Sequence, residues 1–355
     1  MNLKLFTAFS GYDSQALAMR NLCNEYQFDF DLVGWSEIDH HAIIAHDVLF
    51  PEFAARNYGD ICKIDWGQVP DFDLFTYSSP CQDFSTAGYG RGGEEGSQTR
   101  SSLLWECYRA IEQKRPKYCV FENVSNLVSC KHKKVFHEWQ SRLAALGYNN
   151  YPVLLNSQDF GVCQSRERIF LISMLDGVFF PPKKKLTKIE FSEIYDTDAP
   201  QRMWMHPKIF DDVFNCKAAT AVHPLPGYNK GTKKFYCNNI DQNLILVNCT
   251  QGGNVRTLTK SYSKTGQANI TRCTGFGFSG VAVREKGLRR LTTRECFRLM
   301  GMQAADIEKI EQSKLPHTAK YNLAGNSIVV PVLQEIFRKI LIDRSQEQQQ
   351  LSLPL

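Results

Sequence analysis

Three short segments carry side chains able to do covalent chemistry, and each is attached to an apolar run. Leu74-Phe75-Thr76-Tyr77-Ser78-Ser79 leads into Pro80-Cys81-Gln82, Tyr118-Cys119-Val120-Phe121 leads into Glu122-Asn123-Val124, and Gln164-Ser165-Arg166-Glu167-Arg168 opens a third apolar stretch. In open α/β sheets such strand ends border the ligand crevice. A thiol, a carboxylate and two guanidiniums suit attack on an electron-poor ring such as a pyrimidine. The thiolate is the nucleophile, the carboxylate can share a proton with a ring nitrogen, and guanidiniums can hold a ring carbonyl or a phosphate. Each also has a plain structural reading: Cys81 as a small buried residue, Glu122 as a helix cap or surface ion pair. Gln164, Arg166 and Arg168 would share one face of an alternating edge strand. Residues 88–98, just beyond Cys81, hold five glycines, which suits a mobile lid.

A second group of residues fits a cofactor. Phe6-Thr7-Ala8-Phe9-Ser10-Gly11 is the first strand-to-turn junction. Glu37 follows at the end of the second strand, where an acid can hold ribose hydroxyls, and Gly59-Asp60-Ile61 offers another acid to an adenine amine. Nothing resembles a phosphate-binding P-loop, so the pattern favours a nucleoside cofactor without a phosphate chain.

The elements that must position these residues alternate. Strands are expected at Leu3–Phe9, Leu32–Trp35, Asp73–Tyr77, Tyr118–Phe121, Tyr151–Leu155 and Ile169–Met174. Helices are expected at Ser14–Cys23, His41–Leu49, Ser102–Gln113 and Val135–Leu146, the last closed by Gly147. This spacing predicts an α/β fold with a doubly wound, mostly parallel sheet. At Pro181-Pro182-Lys183-Lys184-Lys185 the character changes, and Gly, Asn, Thr, Lys and aromatics dominate to about Arg284. Helical patterning resumes at Thr293–Met300 and Val330–Ile342, the latter long enough to return to the first sheet. The expected organisation is a core over 1–180, a smaller loop-rich domain over 181–285, a return over 286–343 and a frayed tail over 344–355.

With 355 residues, 43% hydrophobic and 22% charged, the chain can bury a substantial globular core. No apolar run approaches the roughly 20 residues a membrane span needs, and the N-terminus lacks a signal-peptide pattern, which together predict a cytoplasmic protein. Charge is uneven: residues 181–290 hold 18 Lys+Arg against 8 Asp+Glu, and the remainder 24 against 29. That block suits a polyanion partner, the competing reading being a solvated lysine-rich surface. Twelve cysteines contain no CxxC pair; Cys119, Cys163 and Cys296 read as small buried hydrophobes. Cys216, Cys237, Cys249 and Cys273 lack zinc-ribbon spacing, so no metal is expected.

Taken in order, Phe6–Gly11, Glu37, Asp60-Ile61, Pro80-Cys81-Gln82, Glu122-Asn123-Val124, Gln164–Arg168, Arg289–Glu295 and Gly325-Asn326-Ser327 closely resemble the DNA (cytosine-5)-methyltransferase family over nearly the whole chain. The resemblance implies a Rossmann-like methyltransferase fold, S-adenosylmethionine as cofactor and double-stranded DNA as partner. It implies that Cys81 attacks C6 of a cytosine, that Glu122 engages N3 and the exocyclic amine, and that Arg166 and Arg168 support the flipped base. Gln82, Ser85, Asn123 and Gln164 would stand on the DNA or substrate side, Ser85 touching a backbone phosphate and Asn123 shaping its turn. Phe6, Ala8, Ser10, Gly11, Glu37, Ile38, Asp60, Ile61, Pro80, Leu104, Asn326 and Ile328 would line the cofactor site. Residues 181–285 would read the target sequence, and Arg289–Glu295 would organise that unit against the core. The family's first motif has glycines where this chain has Ala8 and Ser10, and cofactor affinity is the property this touches. The resemblance further implies a monomer, nucleoid-associated, with a cognate restriction endonuclease as a possible companion. Three alternatives stay open: an RNA cytosine methyltransferase, a catalytically dead DNA-binding relative, and a nicotinamide-dependent oxidoreductase, the last disfavoured by the missing glycine fingerprint.

Overall fold

The computed structural model describes residues 2–80, 103–129, 132–185, 189–204, 236–240, 244–249, 255–258, 279–284 and 286–343. The chain divides into two compact units. The first comprises Met1–Leu155, Glu167–Lys184 and Ile328–Leu355, and the second Asn156–Arg166 and Lys185–Ser327. No helix of the described residues is long and apolar enough to cross a membrane.

The first unit is built on a six-stranded sheet. In chain order its strands are β1 (Asn2–Ala8), β2 (Asp29–Ser36), β3 (Leu74–Tyr77), β4 (Tyr118–Val124) and β5 (Asn149–Asn156); a short β6 (Gln164–Ser165) lies in the second unit before β7 (Glu167–Met174). The spatial order is β2-β1-β3-β4-β7-β5. β1 pairs in parallel with both β2 and β3, and β3 with β4, whereas β4 pairs antiparallel with β7. The mostly parallel, doubly wound reading therefore holds. The chain leaves β1 toward β2 on one side and returns to β3 on the other, which makes the β1–β3 junction the switch point where such sheets open a crevice.

Burial explains the strands. Lys4 points to solvent, but from Leu5 to Ala8 β1 is buried on both faces, as parallel strands covered on each side must be. Phe6 sits in an aromatic cluster with Tyr58, Trp66, Phe72 and Phe75 at ring separations of 5.8, 5.1, 5.3 and 6.0 Å. Opposite Phe6 stands Gly34, where a Cβ would come within 2.6 Å of the Phe6 and Tyr58 rings. Only a glycine fits there.

The helices of this unit are α1 (Ser14–Tyr26), α2 (His40–Leu49), α3 (Leu104–Lys114) and α4 (Lys133–Ala145). Asp13 and Asp39 cap the first two through their carboxylates, Asp13 accepting from the Ala16 N–H and Asp39 from those of His41 and Ala42. Gly147 closes α4 at φ +87 as the sequence predicts. β4 runs on to Val124, so Glu122 and Asn123 lie within the strand rather than beyond it.

The second unit carries a short α5 (Phe191–Ile194) and an antiparallel sheet of β8 (Tyr236–Asn239), β9 (Leu244–Cys249), β11 (Gly280–Val283) and β12 (Gly287–Arg290), in the order β12-β11-β9-β8. A separate strand, β10 (Val255–Arg256), pairs in parallel with β6. Then follow α6 (Thr293–Leu299), α7 (Ala304–Gln312) and α8 (His317–Asn326). A fully buried ion pair anchors this unit: Arg289 donates to both Glu295 oxygens at 2.7 Å. The same carboxylate accepts from the Thr292 and Asp196 backbone N–H groups, and the Arg289 guanidinium packs against the Tyr195 and Trp204 rings.

The last helix, α9 (Val330–Arg338), belongs to the first unit. Leu333, Ile336 and Phe337 form its buried stripe, continued by Ile340 and Leu341. It packs on α1, with Gln334 donating to Glu25 at 2.8 Å.

Candidate active site

At the carboxyl ends of β3 and β4, register brings three polar side chains together. Tyr77 stands beside Phe121, so the next rungs set Ser78 beside Glu122 and Ser79 beside Asn123. Across the antiparallel pairing, Arg168 faces Val124, which puts its side chain on the same face as Glu122, two residues away. Glu122 is 6% exposed, its Oε1 is 3.1 Å from Arg168 Nε, and its Oε2 accepts from Ser78 Oγ at 2.6 Å. A buried carboxylate needs such partners. With one donor on each oxygen, a lone pair on each remains for a two-point contact with a ring edge. Asn123 fixes the adjoining rung: its Nδ2 donates to Ser79 O and its Oδ1 accepts from Val124 N–H. Ser78 carries no motif of its own, and the signal that finds it is the strand register.

A second locus surrounds the ends of β1 and β2. Glu37 Oε2 accepts from Gly11 N–H at 2.9 Å, and its Oε1 accepts from the Ile38 and Asp39 N–H groups at 2.8 Å each. Asn57 brackets the Glu37 backbone from both sides and also accepts from Gly59 N–H, while Ser36 Oγ donates to Gly59 O. These bonds bring Gly59-Asp60-Ile61 next to Glu37. Gly11 and Gly59 adopt φ of +59 and +69, and a Cβ at either would meet no atom within 4 Å. Ile38 is 72% exposed, an unusual state for a large aliphatic residue at a strand end. Open backbone, an acid within reach and a bare apolar side chain fit a nucleoside, with Ile38 beside the base and Glu37 and Asp60 beside polar edges.

Beneath this turn lies a buried polar cluster. Asp13 accepts from Thr7 Oγ1 at 2.7 Å and from Ala16 N–H at 2.8 Å, while its own N–H donates to Ser10 O. His46 Nε2 is 3.7 Å from Asp13 Oδ2, and its ring stacks on Trp35 at 3.6 Å. Burial, reinforced more weakly by the Glu37 charge, pushes the Asp13 carboxyl up to about 7, and burial pushes His46 down to about 3.

Several expected site residues stand elsewhere. Cys81, Gln82 and Ser85 lie outside the described residues. Phe6, Ala8 and Leu104 are sealed in the core, and Ile61 nearly so, leaving Phe6 and Leu104 as walls behind the site. Neither Ala8 nor Ser10 takes the left-handed conformation; Phe9 (φ +54) and Gly11 do, so the two lost glycines cost no backbone strain. Pro80 is half-buried at the mouth of the β3 exit. The expected common face of Gln164, Arg166 and Arg168 does not form. The strand breaks at Arg166, because β6 pairs with β10 and β7 with β4. Gln164 is fully buried in the second unit, donating to Leu299 O and accepting from Leu258 N–H, so both ends of its amide are taken up within that unit. Arg166 donates to the carbonyls of Leu258, Gly325 and Ser327, which makes it a brace for the Gly325–Ser327 segment. Asn326 is exposed at the end of α8, and Ile328 is buried where the chain re-enters the first unit.

The match with known proteins agrees with this geometry. The family model described as C-5 cytosine-specific DNA methylase matches residues 3–341. The chain belongs to the C-5 cytosine-specific DNA methylase family, and its reaction class is DNA (cytosine-5)-methyltransferase. The type II methyltransferase M2.ScrFI of Lactococcus lactis subsp. cremoris is 37% identical over 296 residues, covering 80% of this chain and 71% of that protein. The orphan methyltransferase M.SssI of Spiroplasma monobiae is 30% identical over 293 residues, covering 80% and 69%. Among solved structures, the methyltransferase EhMeth of Entamoeba histolytica superposes with a TM-score of 0.68 over 97% of this chain and 99% of that one, at 16% identity, a likeness of fold.

Proposed function

We propose that this chain methylates C5 of a cytosine extruded from double-stranded DNA at a defined short sequence, through a covalent bond between Cys81 and C6. The observation that carries this reading is the buried Glu122 carboxylate, held by Arg168 and Ser78 at the ends of β3 and β4, with Pro80 and Cys81 two and three residues beyond Ser78 in sequence. The Cys81 thiolate adds to C6, and the electron pair displaced from the C5–C6 bond makes C5 nucleophilic. Glu122 shares its proton with N3 and accepts from the exocyclic amine, which limits negative charge on the ring. S-adenosylmethionine, when bound, supplies the electrophilic methyl; Glu37, Ile38, Gly11 and Asp60 would hold it. After C5 has taken the methyl, transfer of the C5 proton to water leaves an electron pair that re-forms the C5–C6 double bond and expels the Cys81 sulfur as thiolate, and N3 returns its proton to Glu122.

A stacked base cannot be approached from above its plane, so extrusion is required, at a cost of a few kcal/mol. The lysine-rich residues 181–285 are assigned to target recognition and phosphate contacts, which offset that cost. The same reading makes the chain a monomer acting on the nucleoid in the cytoplasm. The type II relative supports a cognate restriction endonuclease as companion, and the orphan relative supports solitary action.

A cytosine-methylation map of DNA from cells expressing the chain, beside a Cys81→Ser control, tests this. The expected result is 5-methylcytosine at one position of one short motif, absent from the control. Methyl label that survives DNase and is lost with RNase would move the reading to an RNA substrate.

A further inference from the structure

We infer that Ser78 is a positioning residue for the methyl-transfer reaction, holding one oxygen of the Glu122 carboxylate while Arg168 holds the other. The inference rests on the function proposed above and adds a residue that no motif of the chain points to.

The geometry is specific. The Ser78 hydroxyl meets Glu122 Oε2 at 2.6 Å, short for a hydroxyl donor and in the range of charge-assisted bonds, and Arg168 meets Oε1 at 3.1 Å. Ser78 is itself fixed by position: it follows the last paired residue of β3, alongside Glu122 near the end of β4, and the neighbouring rung is locked by Asn123 on Ser79 O. The carboxylate plane is therefore set by donors from two different strands, β7 and the β3 exit.

A hydroxyl does something here that the guanidinium cannot. Arg168 can only donate. Ser78 donates to Glu122 Oε2 when the carboxylate is ionised. With no base bound it can rotate about its C–O bond and accept a proton carried on Oε2, and once that proton turns to N3 the hydroxyl donates again to a remaining lone pair of the oxygen. No proton leaves Ser78 at any stage. Both protonation states of Glu122 thus keep a partner, and the carboxylate need not swing as its proton comes and goes. Ser78 also stands three residues before Cys81, so it joins the orientation of the acid to the segment that bears the nucleophile.

The test compares Ser78→Ala and Ser78→Thr with the unaltered protein, using unmethylated plasmid DNA and methyl-labelled S-adenosylmethionine. Ser78→Ala should lower kcat about tenfold to a hundredfold, the effect of losing one hydrogen bond to a charged group, with KM for DNA and for the methyl donor unchanged within about twofold. Ser78→Thr keeps the hydroxyl and should return kcat to within about threefold of the unaltered protein. Ser78→Gly serves as the second hydroxyl-free variant should the alanine protein fail to fold. Unchanged kcat in a hydroxyl-free variant, a change confined to KM, or a threonine protein as slow as the alanine one would each overturn the inference. An unaltered protein that labels no DNA would instead overturn the function on which it rests.

Discussion

Arg168–Glu122 and Arg289–Glu295 join the same two residue types, yet they are finished differently. In the second pair both side chains are fully buried, the contact is two-pronged at 2.7 Å, and backbone N–H groups of Thr292 and Asp196 take further positions on the carboxylate. Tyr195 and Trp204 rings pack on the guanidinium. In the first pair a single Arg168 nitrogen reaches one oxygen, Ser78 takes the other, and the arginine side chain keeps 17% of its surface exposed. A saturated pair can only hold structure together. An unsaturated one, at the carboxyl edge of a parallel sheet, retains hydrogen-bonding capacity for something that is not protein. The residue types do not separate the two; the number of unspent lone pairs does.

Breaking each pair should therefore damage different properties. The largest effect is expected from Glu122→Gln, which keeps shape but cannot share the proton with N3. Methyl transfer should fall by about 10²–10⁴-fold while the melting temperature stays near that of the unaltered protein, as read from single-turnover kinetics and calorimetry. Glu295→Ala strands a buried guanidinium and should cost about 3–5 kcal/mol of stability in denaturant unfolding, with any surviving folded protein retaining its catalytic rate. A Glu295→Ala protein as stable as its parent would remove the distinction.

The smallest effect sharpens the comparison with a third buried acid–base pair, one that burial keeps uncharged. Asp13, lifted from 3.8 to about 7, holds a proton when folded that the unfolded chain has released, so its contribution is present at low pH and fades as pH rises through 7. His46, lowered from 6.5 to about 3, refuses a proton that the unfolded chain binds, so stability rises with pH between about 3 and 6.5. Between pH 4 and 6.5 the two slopes oppose and nearly cancel. Asp13→Asn should unmask the histidine, giving stability that climbs by up to roughly 1.4 kcal/mol per pH unit in that window. His46→Gln should unmask the aspartate and slope the other way. Parallel slopes in the two variants would show that neither group titrates as burial dictates.

Much of this is legible in the sequence, for reasons that differ by residue. Parallel strands buried on both faces leave continuous apolar runs, so β1, β3 and the core of β4 can be read directly, and Glu122 stands out as the acid ending such a run. Arg166 escapes that reading because alternation assumes an unbroken strand, and the switch from β10 to β4 as pairing partner is not written in local pattern. The helix His317–Asn326 leaves no periodic signal, since Ala319, Lys320, Tyr321, Leu323 and Ala324 are buried around most of its circumference. Its buried Lys320, satisfied by Glu311, even reads as a surface residue. Ser78 and Asn57 act through register and bridging backbone contacts, which only three-dimensional placement reveals.

The seating of α9 on α1 has a consequence for synthesis. Gln334 meets Glu25 across 309 residues of chain, so the apolar face of α1 waits for its cover until α9 has been made. Closing so long a loop is entropically late in any folding sequence. A nascent chain therefore grows by 309 residues beyond Glu25 with one helix of its first unit uncovered. A ribosome that stops short of Val330 releases a product with a bare hydrophobic surface, fit for a chaperone or a protease rather than for partial activity.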